Sequence, residues 1–131
     1  MTKIIDWKTK ETIIEDPNLS LKELVEKTVK EGISLAYANL SCADLRDAKL
    51  KCANLYGANL TSADLRDAEL ENADLREADL GYAELDYANL YGANLKGADL
   101  GYADCSYTHL CGVDLSKTNV TGAELEKAIF Y

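Results

Sequence analysis

From Ile33 onward leucine recurs at every fifth position (Leu35, Leu40, Leu45, Leu50 and so on to Leu100), and alanine stands two residues before almost every one, from Ala38 to Ala103. The residue between them is usually Asp, Asn or Glu, as in ANL, ADL and AEL. The register runs on to the C-terminus with departures: Cys105, Val120 and Phe130 fill leucine slots, and Thr108, Val113 and Thr118 fill alanine slots. A period of five suits neither standard element. On an α-helix five residues turn the chain by about 500°, so the leucines would spiral instead of forming a stripe. On a straight strand successive leucines would alternate between faces. The pattern is consistent with a chain that turns a corner every five residues. Within each short extended piece Ala and Leu lie two apart and point the same way. Four pieces make a square coil of twenty residues with Ala and Leu inside. Coils stacked at about 4.8 Å then pair their backbone groups with one another.

Residues 1–32 lie outside this register. Lys3–Trp7 and Thr12–Glu15 are β-branched or apolar runs around polar KTKE, which predicts a β-hairpin within residues 1–16. Residues 17–32 carry helix signals: Ser20 as N-cap with Glu23 three residues on, and a Leu19/Leu24 staple. Leu21, Leu24, Val25, Thr28 and Val29 line one face, and Gly32 suits the position after the last turn. Hairpin and helix together are expected to cap the first coil, as solenoid ends require. A separate docking module is the alternative.

The A(D/N)LXX pattern over residues 33–131 resembles the pentapeptide-repeat family. The resemblance implies an all-β solenoid, a right-handed quadrilateral β-helix. About five coils would give a rod of about 24 Å. Residues twenty apart then sit one above another, and the sequence becomes a set of columns. The leucine columns, such as Leu35, Leu55, Leu75, Leu95 and Leu115, form the core.

Charge narrows the partners. The formal net charge is −9, nearly all of it in the repeats, because residues 1–32 hold seven acids against six bases. An acidic chain with no Lys/Arg cluster is a poor match for nucleic acid and for an anionic membrane surface. The apolar stretches are too short for a membrane-crossing helix, and MTKIIDWKTK lacks the apolar core of a signal peptide, so a cytoplasmic location is expected.

Two surface features stand out among the columns. Asp44, Asp64, Glu84, Asp104 and Glu124 form one continuous acidic ladder, a candidate partner-binding stripe. Some pentapeptide-repeat proteins mimic DNA and bind DNA gyrase, so the resemblance implies that such a stripe could imitate phosphates. The plainer reading is that Asp and Asn suit this slot beside a turn, and Arg46 and Arg66 dilute any likeness to phosphate. The tyrosines form the second feature. Tyr82 stacks under Tyr102 and Tyr87 under Tyr107, while Tyr91 and Tyr131 share an outward column with Cys111. A stabilising surface stack is one explanation and an interface the other. The last coil, ending AIFY, is expected to expose apolar residues, and a homodimer through Phe130 and Tyr131 is the preferred explanation. Folding of those two rings over the end is the alternative.

The sequence offers no catalytic set. Cys42 and Cys52 are half a coil apart, Cys105 takes a core slot and Cys111 an outward one, so no disulfide is expected. There is no CxxC, no Gly-rich phosphate loop, and a single histidine, His109, without a nucleophile beside it in the columns. Equally spaced carboxylates do not make a metal cage. No enzyme activity, cofactor or metal is expected. The preferred reading is a non-catalytic rod presenting surfaces to a protein partner that the sequence does not name. The runner-up is a DNA-mimic regulator or protector of DNA gyrase or topoisomerase IV, and the third reading is a purely structural module.

Overall fold

In the computed structural model, which describes all 131 residues, the chain opens with an antiparallel strand pair, β1 (Thr2–Ile5) and β2 (Thr12–Asp16), followed by one helix, α1 (Leu21–Lys30). Register runs Thr2 to Asp16, Lys3 to Glu15 and Ile4 to Ile14, then slips at Ile5, which faces Thr12. The sequence places the first strand at Lys3–Trp7. It ends at Ile5, where Asp6 begins the turn: the Asp6 amide donates to Glu11 O (2.9 Å), its backbone also bridges Ala38, and its carboxylate accepts the amides of Lys8 (2.7 Å) and Thr9 (2.9 Å).

Helix α1 starts where its cap dictates. The Glu23 amide donates to the Ser20 hydroxyl (3.2 Å) and the Ser20 amide to the Glu23 carboxylate (2.8 Å), which satisfies two otherwise orphaned donors. It stops at Gly32, at φ +71°, where the Gly32 amide reaches Val29 O and the Ile33 amide Thr28 O, both at 3.0 Å. Leu24, Val25 and Thr28 are fully buried, and Ile4 of β1 joins them in the same core.

From Leu35 one local unit repeats. Each Leu carbonyl accepts the amide of the residue three on, at 2.9–3.2 Å, closing a turn at the corner. The third residue of that turn has positive φ, as at Tyr37 (+59°), Ser62 (+56°) and Tyr107 (+58°), the signature of a type II turn. A side chain bearing a Cβ costs about 1 kcal/mol or more there. The ladder between circuits offsets that cost. The Leu40 amide donates to Asn59 O (2.8 Å) and the Asn59 amide to Ala38 O (2.9 Å), and parallel bridges link Asn39, Asn59, Asp79, Asp99 and Asn119 in steps of twenty.

Ala and Leu fill the interior. The core cluster holds 33 buried residues, nearly all from these two slots, each buried Leu stabilising by about 1.5–3 kcal/mol. Departures from the pattern are handled in place. Cys105 is buried in a leucine slot, where loss of solvation pushes its thiol up to about 12. Thr108 is buried in an alanine slot and its hydroxyl donates to Leu85 O (2.8 Å), so that hydroxyl is not stranded.

One departure is not absorbed. Asp74 bridges Asn94, but Asn94 does not bridge Asp114, and the Leu95 amide has no backbone acceptor. The Gly97 amide turns instead to Lys117 O, one residue further than the pattern requires. In this circuit the alanine slot holds the larger Val113. A cleft of about 460 Å³ opens beside Gly92–Lys96 and Gly112–Lys117.

Candidate protein-interaction face

The acidic ladder occupies one side of the rod. Asp44–Asp64, Asp64–Glu84 and Glu84–Asp104 are bridged pairs, as are Asp104–Glu124, so the five backbones are in direct register. Beside them runs a second outward column, Arg46, Arg66, Asp86, Ser106 and Glu126, each just past the core residue at 45, 65, 85, 105 or 125. The corner that follows carries Asp47, Asp67, Tyr87, Tyr107 and Lys127, and the corner before the ladder carries Cys42, Ser62, Tyr82, Tyr102 and Gly122.

The upper half of this side is an ion-pair network. Arg46 clasps Asp44 through two nitrogens (2.8 and 2.7 Å) and reaches Asp64 at 3.6 Å. Arg66 clasps Asp64 in the same way (2.9 and 2.6 Å) and reaches Glu84 at 3.2 Å. The guanidinium of Arg46 draws the Asp44 carboxyl down to about 2, and that of Arg66 draws Asp64 below its ordinary value. The repulsion expected of a carboxylate ladder is therefore cancelled here by bidentate pairs.

The lower half has no such compensation. Asp86, Asp104, Glu124 and Glu126 take part in no ion pair. Burial pushes the Asp86 carboxyl up, with the Asp104 and Glu84 carboxylates adding to the effect. Hydrogen bonds from Ser106 hold Asp104 below its ordinary value, the amide contact being 2.9 Å.

Tyrosine stacks stand at both edges of that lower half. Tyr82 and Tyr102 lie 5.2 Å apart between ring centroids at 13°, and Tyr87 and Tyr107 lie 4.8 Å apart at 3°. They remain exposed, at 63% and 59% for the first pair and 57% and 37% for the second. The Lys127 ammonium sits over Tyr107, 5.3 Å from its centroid. Gly122 completes the other column: a Cβ there would lie 2.5 Å from the Tyr102 ring, so glycine lets that ring lie flat over the next circuit. Tyr91 is exposed and takes part in no aromatic stack. Phe130 and Tyr131 are exposed at the far end, with Val120.

Two features escaped the sequence reading. Asp86 and Glu126 were not stacked with the ladder, although the same twenty-residue arithmetic places them beside it. The N-terminal aromatic cluster also went unseen. Trp7 Nε1 donates to Gly57 O at 2.7 Å, its ring meets Tyr37 edge-on at 6.3 Å, and Tyr37 meets Tyr56 at 5.5 Å. That contact spans fifty residues and pins the hairpin to the rod, and no local pattern announces it. The four cysteines are free thiols, and no group of three or more His, Cys, Asp or Glu is placed to hold a metal. No helix is long and apolar enough to cross a membrane.

The sequence matches the family described as Pentapeptide repeats, with 8 copies, over residues 31–67, 58–97 and 93–130. The chain belongs to the pentapeptide-repeat family. Members of this family fold as right-handed quadrilateral β-helices, and they are generally structural or interaction proteins without catalysis. Solved relatives include the pentapeptide-repeat protein Rfr23 from the cyanobacterium Cyanothece, at 38% identity over 68% of this chain and 65% of that one, with a TM-score of 0.37. A pentapeptide-repeat protein of the Arabidopsis thaliana thylakoid lumen is 34% identical over 65% of this chain and 63% of that one, with a TM-score of 0.42. QnrB1, a plasmid-mediated fluoroquinolone resistance protein, is 21% identical over 72% of this chain and 54% of that one, with a TM-score of 0.45. The chain thus spans less than two thirds of the length of each of these relatives. No curated protein matches the sequence.

Proposed function

We infer that this pentapeptide-repeat protein is a non-catalytic rod of about five coils, capped by its hairpin and helix, that presents a side surface to a protein partner. The observation that carries this reading is the lower half of the acidic side, where exposed, pre-stacked tyrosines border carboxylates that have no cation. Tyrosine is enriched at the cores of protein interfaces, and rings already held in place lose little freedom on binding. Four free thiols agree with a reducing, cytoplasmic setting.

The DNA-mimic reading has the five-carboxylate ladder in its favour and two observations against it. Arg46 and Arg66 neutralise its upper part. The remainder, Glu84 to Glu124, covers two coil spacings, about 10 Å, which matches only about three base pairs at 3.4 Å each. A homodimer through the last circuit also belongs to the proposal, supported by the exposure of Val120 (36%) and Phe130 (45%) in inward slots. Replacing Phe130 and Tyr131 with Ser should halve the mass measured by light scattering, and an unchanged mass would reject that interface.

The rod reading is tested by immobilising the folded chain beside a variant carrying Tyr82→Asn, Tyr87→Asn, Tyr102→Asn and Tyr107→Asn. A protein retained from its native extract by the first and lost by the second is the expected result. Retention of nothing would count against an interaction role. A DNA gyrase supercoiling assay separates the runner-up: inhibition lost on Asp64→Lys, Glu84→Lys and Asp104→Lys would favour DNA mimicry.

A further inference from the structure

The tyrosine-bordered surface also specifies what it binds. We propose that it docks an extended, basic segment of a partner protein, with two or three Lys or Arg side chains within about four residues, laid along the rod axis between the Tyr82/Tyr102 and Tyr87/Tyr107 stacks. The inference rests on the rod reading above and names the site and the partner's chemistry.

Three observations lead to it. First, the apolar content lies at the edges: two exposed aromatic stacks stand at adjacent corners of the same circuits, five residues apart in sequence. A partner lying between them covers both without entering a pocket. Second, the strip between them is acidic and unpaired. Five carboxylates, Glu84, Asp86, Asp104, Glu124 and Glu126, face one lysine, Lys127, which is held over the Tyr107 ring. Only Glu84 has a cationic partner, and that partner is Arg66 of the circuit above. Third, the strip is narrow and short. Ser106 is the only outward residue between the two corners of its circuit besides Asp104, so nothing large rises between the stacks. At about 3.3 Å per extended residue, a length of about 10 Å takes three to four residues. Nucleic acid and anionic membrane are repelled by this charge, and no cage for a metal ion is present. A basic side chain is what relieves the repulsion between carboxylates stacked at coil spacing. A neighbouring aromatic ring adds favourable contact for its apolar stem.

The upper half of the same side serves as an internal control, because it has the same backbone and its own ladder carboxylates. There the cations are built in. Arg46 and Arg66 already occupy the positions that the partner's side chains would take beside Asp86 and Ser106.

The test is fluorescence anisotropy with a fluorescein-labelled nonapeptide in which three arginines alternate with serine, flanked by glycine. A peptide with citrulline in place of arginine controls for charge. Asn is the substitution of choice for the tyrosines because it tolerates positive φ, as Asn72 does at the same slot (+57°). Asp86→Asn with Asp104→Asn and Glu126→Gln should weaken binding at least about tenfold, and the four Tyr→Asn changes about three- to tenfold. The charge-matched variant Asp44→Asn, Asp47→Asn, Asp67→Asn should stay within about twofold. Circular dichroism and melting establish that each variant is folded. Binding lost equally in the upper variant would overturn the site while leaving the rod reading intact, as would full affinity in the tyrosine variant. No binding of the arginine peptide at about 1 mM, a free energy of about −4 kcal/mol, would overturn the partner chemistry. Gyrase inhibition without peptide binding would overturn it in favour of DNA mimicry.

Discussion

Two halves of one side of this rod share a backbone and differ in what they do with charge. In the upper half, Asp44 and Asp64 are clasped by Arg46 and Arg66, and no aromatic residue stands at either corner. In the lower half, Asp86, Asp104, Glu124 and Glu126 lack cations and tyrosines stack at both corners. The repeat fixes the inward residues and leaves the outward ones free. A stretch of surface can therefore be self-satisfied or left unsatisfied without any change in fold. The acidic ladder reads as one feature along the sequence, and its neighbours divide it into two.

The bluntest way to break the comparison is to remove both halves at once. Leu75 is fully buried in mid-rod, and Leu75→Asp would place an unpaired charge in the core. Cooperative loss of the β signal in circular dichroism is expected at room temperature. A variant melting like the wild type would contradict the twenty-residue register.

Removing one edge of the lower half is the next largest effect. Tyr87→Asn with Tyr107→Asn deletes a stack at 4.8 Å and should cost about 0.5–1.5 kcal/mol in urea unfolding. The corresponding corner of the upper half, Asp47 and Asp67, should accept Asn with a change within about 0.5 kcal/mol.

Making the halves alike comes third. Arg66→Ala leaves Glu84 without a cation and Asp64 with only its longer Arg46 contact at 3.6 Å, so the upper half should begin to bind the basic peptide. Both partners are partly exposed, so the loss of stability should be small and should shrink further as salt is added.

The smallest effect is the pH dependence, which should differ in sign between the halves. Asp44 and Asp64 are held below the ordinary value of 3.8, Asp44 at about 2. Their pairing stabilises the fold above that ordinary value, and the contribution is lost as pH falls through the lower folded values. Asp86 is raised above 3.8. Its protonated form is favoured by folding, and that contribution fades as pH rises through its raised folded value. In melting curves from pH 3 to pH 7, Asp86→Asn should therefore gain stability relative to wild type as pH rises. A difference that shrinks with rising pH would contradict the burial of this carboxyl among like charges.

Much of the fold was legible because its signal is periodic. A leucine every fifth residue with alanine two before it specifies both the corner and the inward face, and the twenty-residue spacing predicted the Tyr82/Tyr102 and Tyr87/Tyr107 pairs. The capping box at Ser20 and Glu23 was legible for a different reason, since its chemistry is local. Three things were not. The Trp7–Gly57 hydrogen bond joins parts of the chain that no period relates. The opening beside Asn94 and Asp114, where the Gly97 amide shifts to Lys117 O, depends on packing between circuits, which the period does not encode. The division of the acidic ladder depends on the column beside it, where arginine gives way to Asp86 and Ser106. Tyrosines at positive φ also run against local preference, and the ladder and the stacking overrule it.

The central claim is that the lower half of this side, and not the upper, receives a basic segment. Titrating the arginine–serine peptide into isotopically labelled protein, while following backbone amide and tyrosine ring resonances, tests it most directly. Shifts confined to residues 82–87, 102–107 and 122–127, with residues 42–47 and 62–67 unmoved, are predicted. Shifts centred on Asp44–Asp67, or scattered evenly over the four sides of the rod, would contradict it.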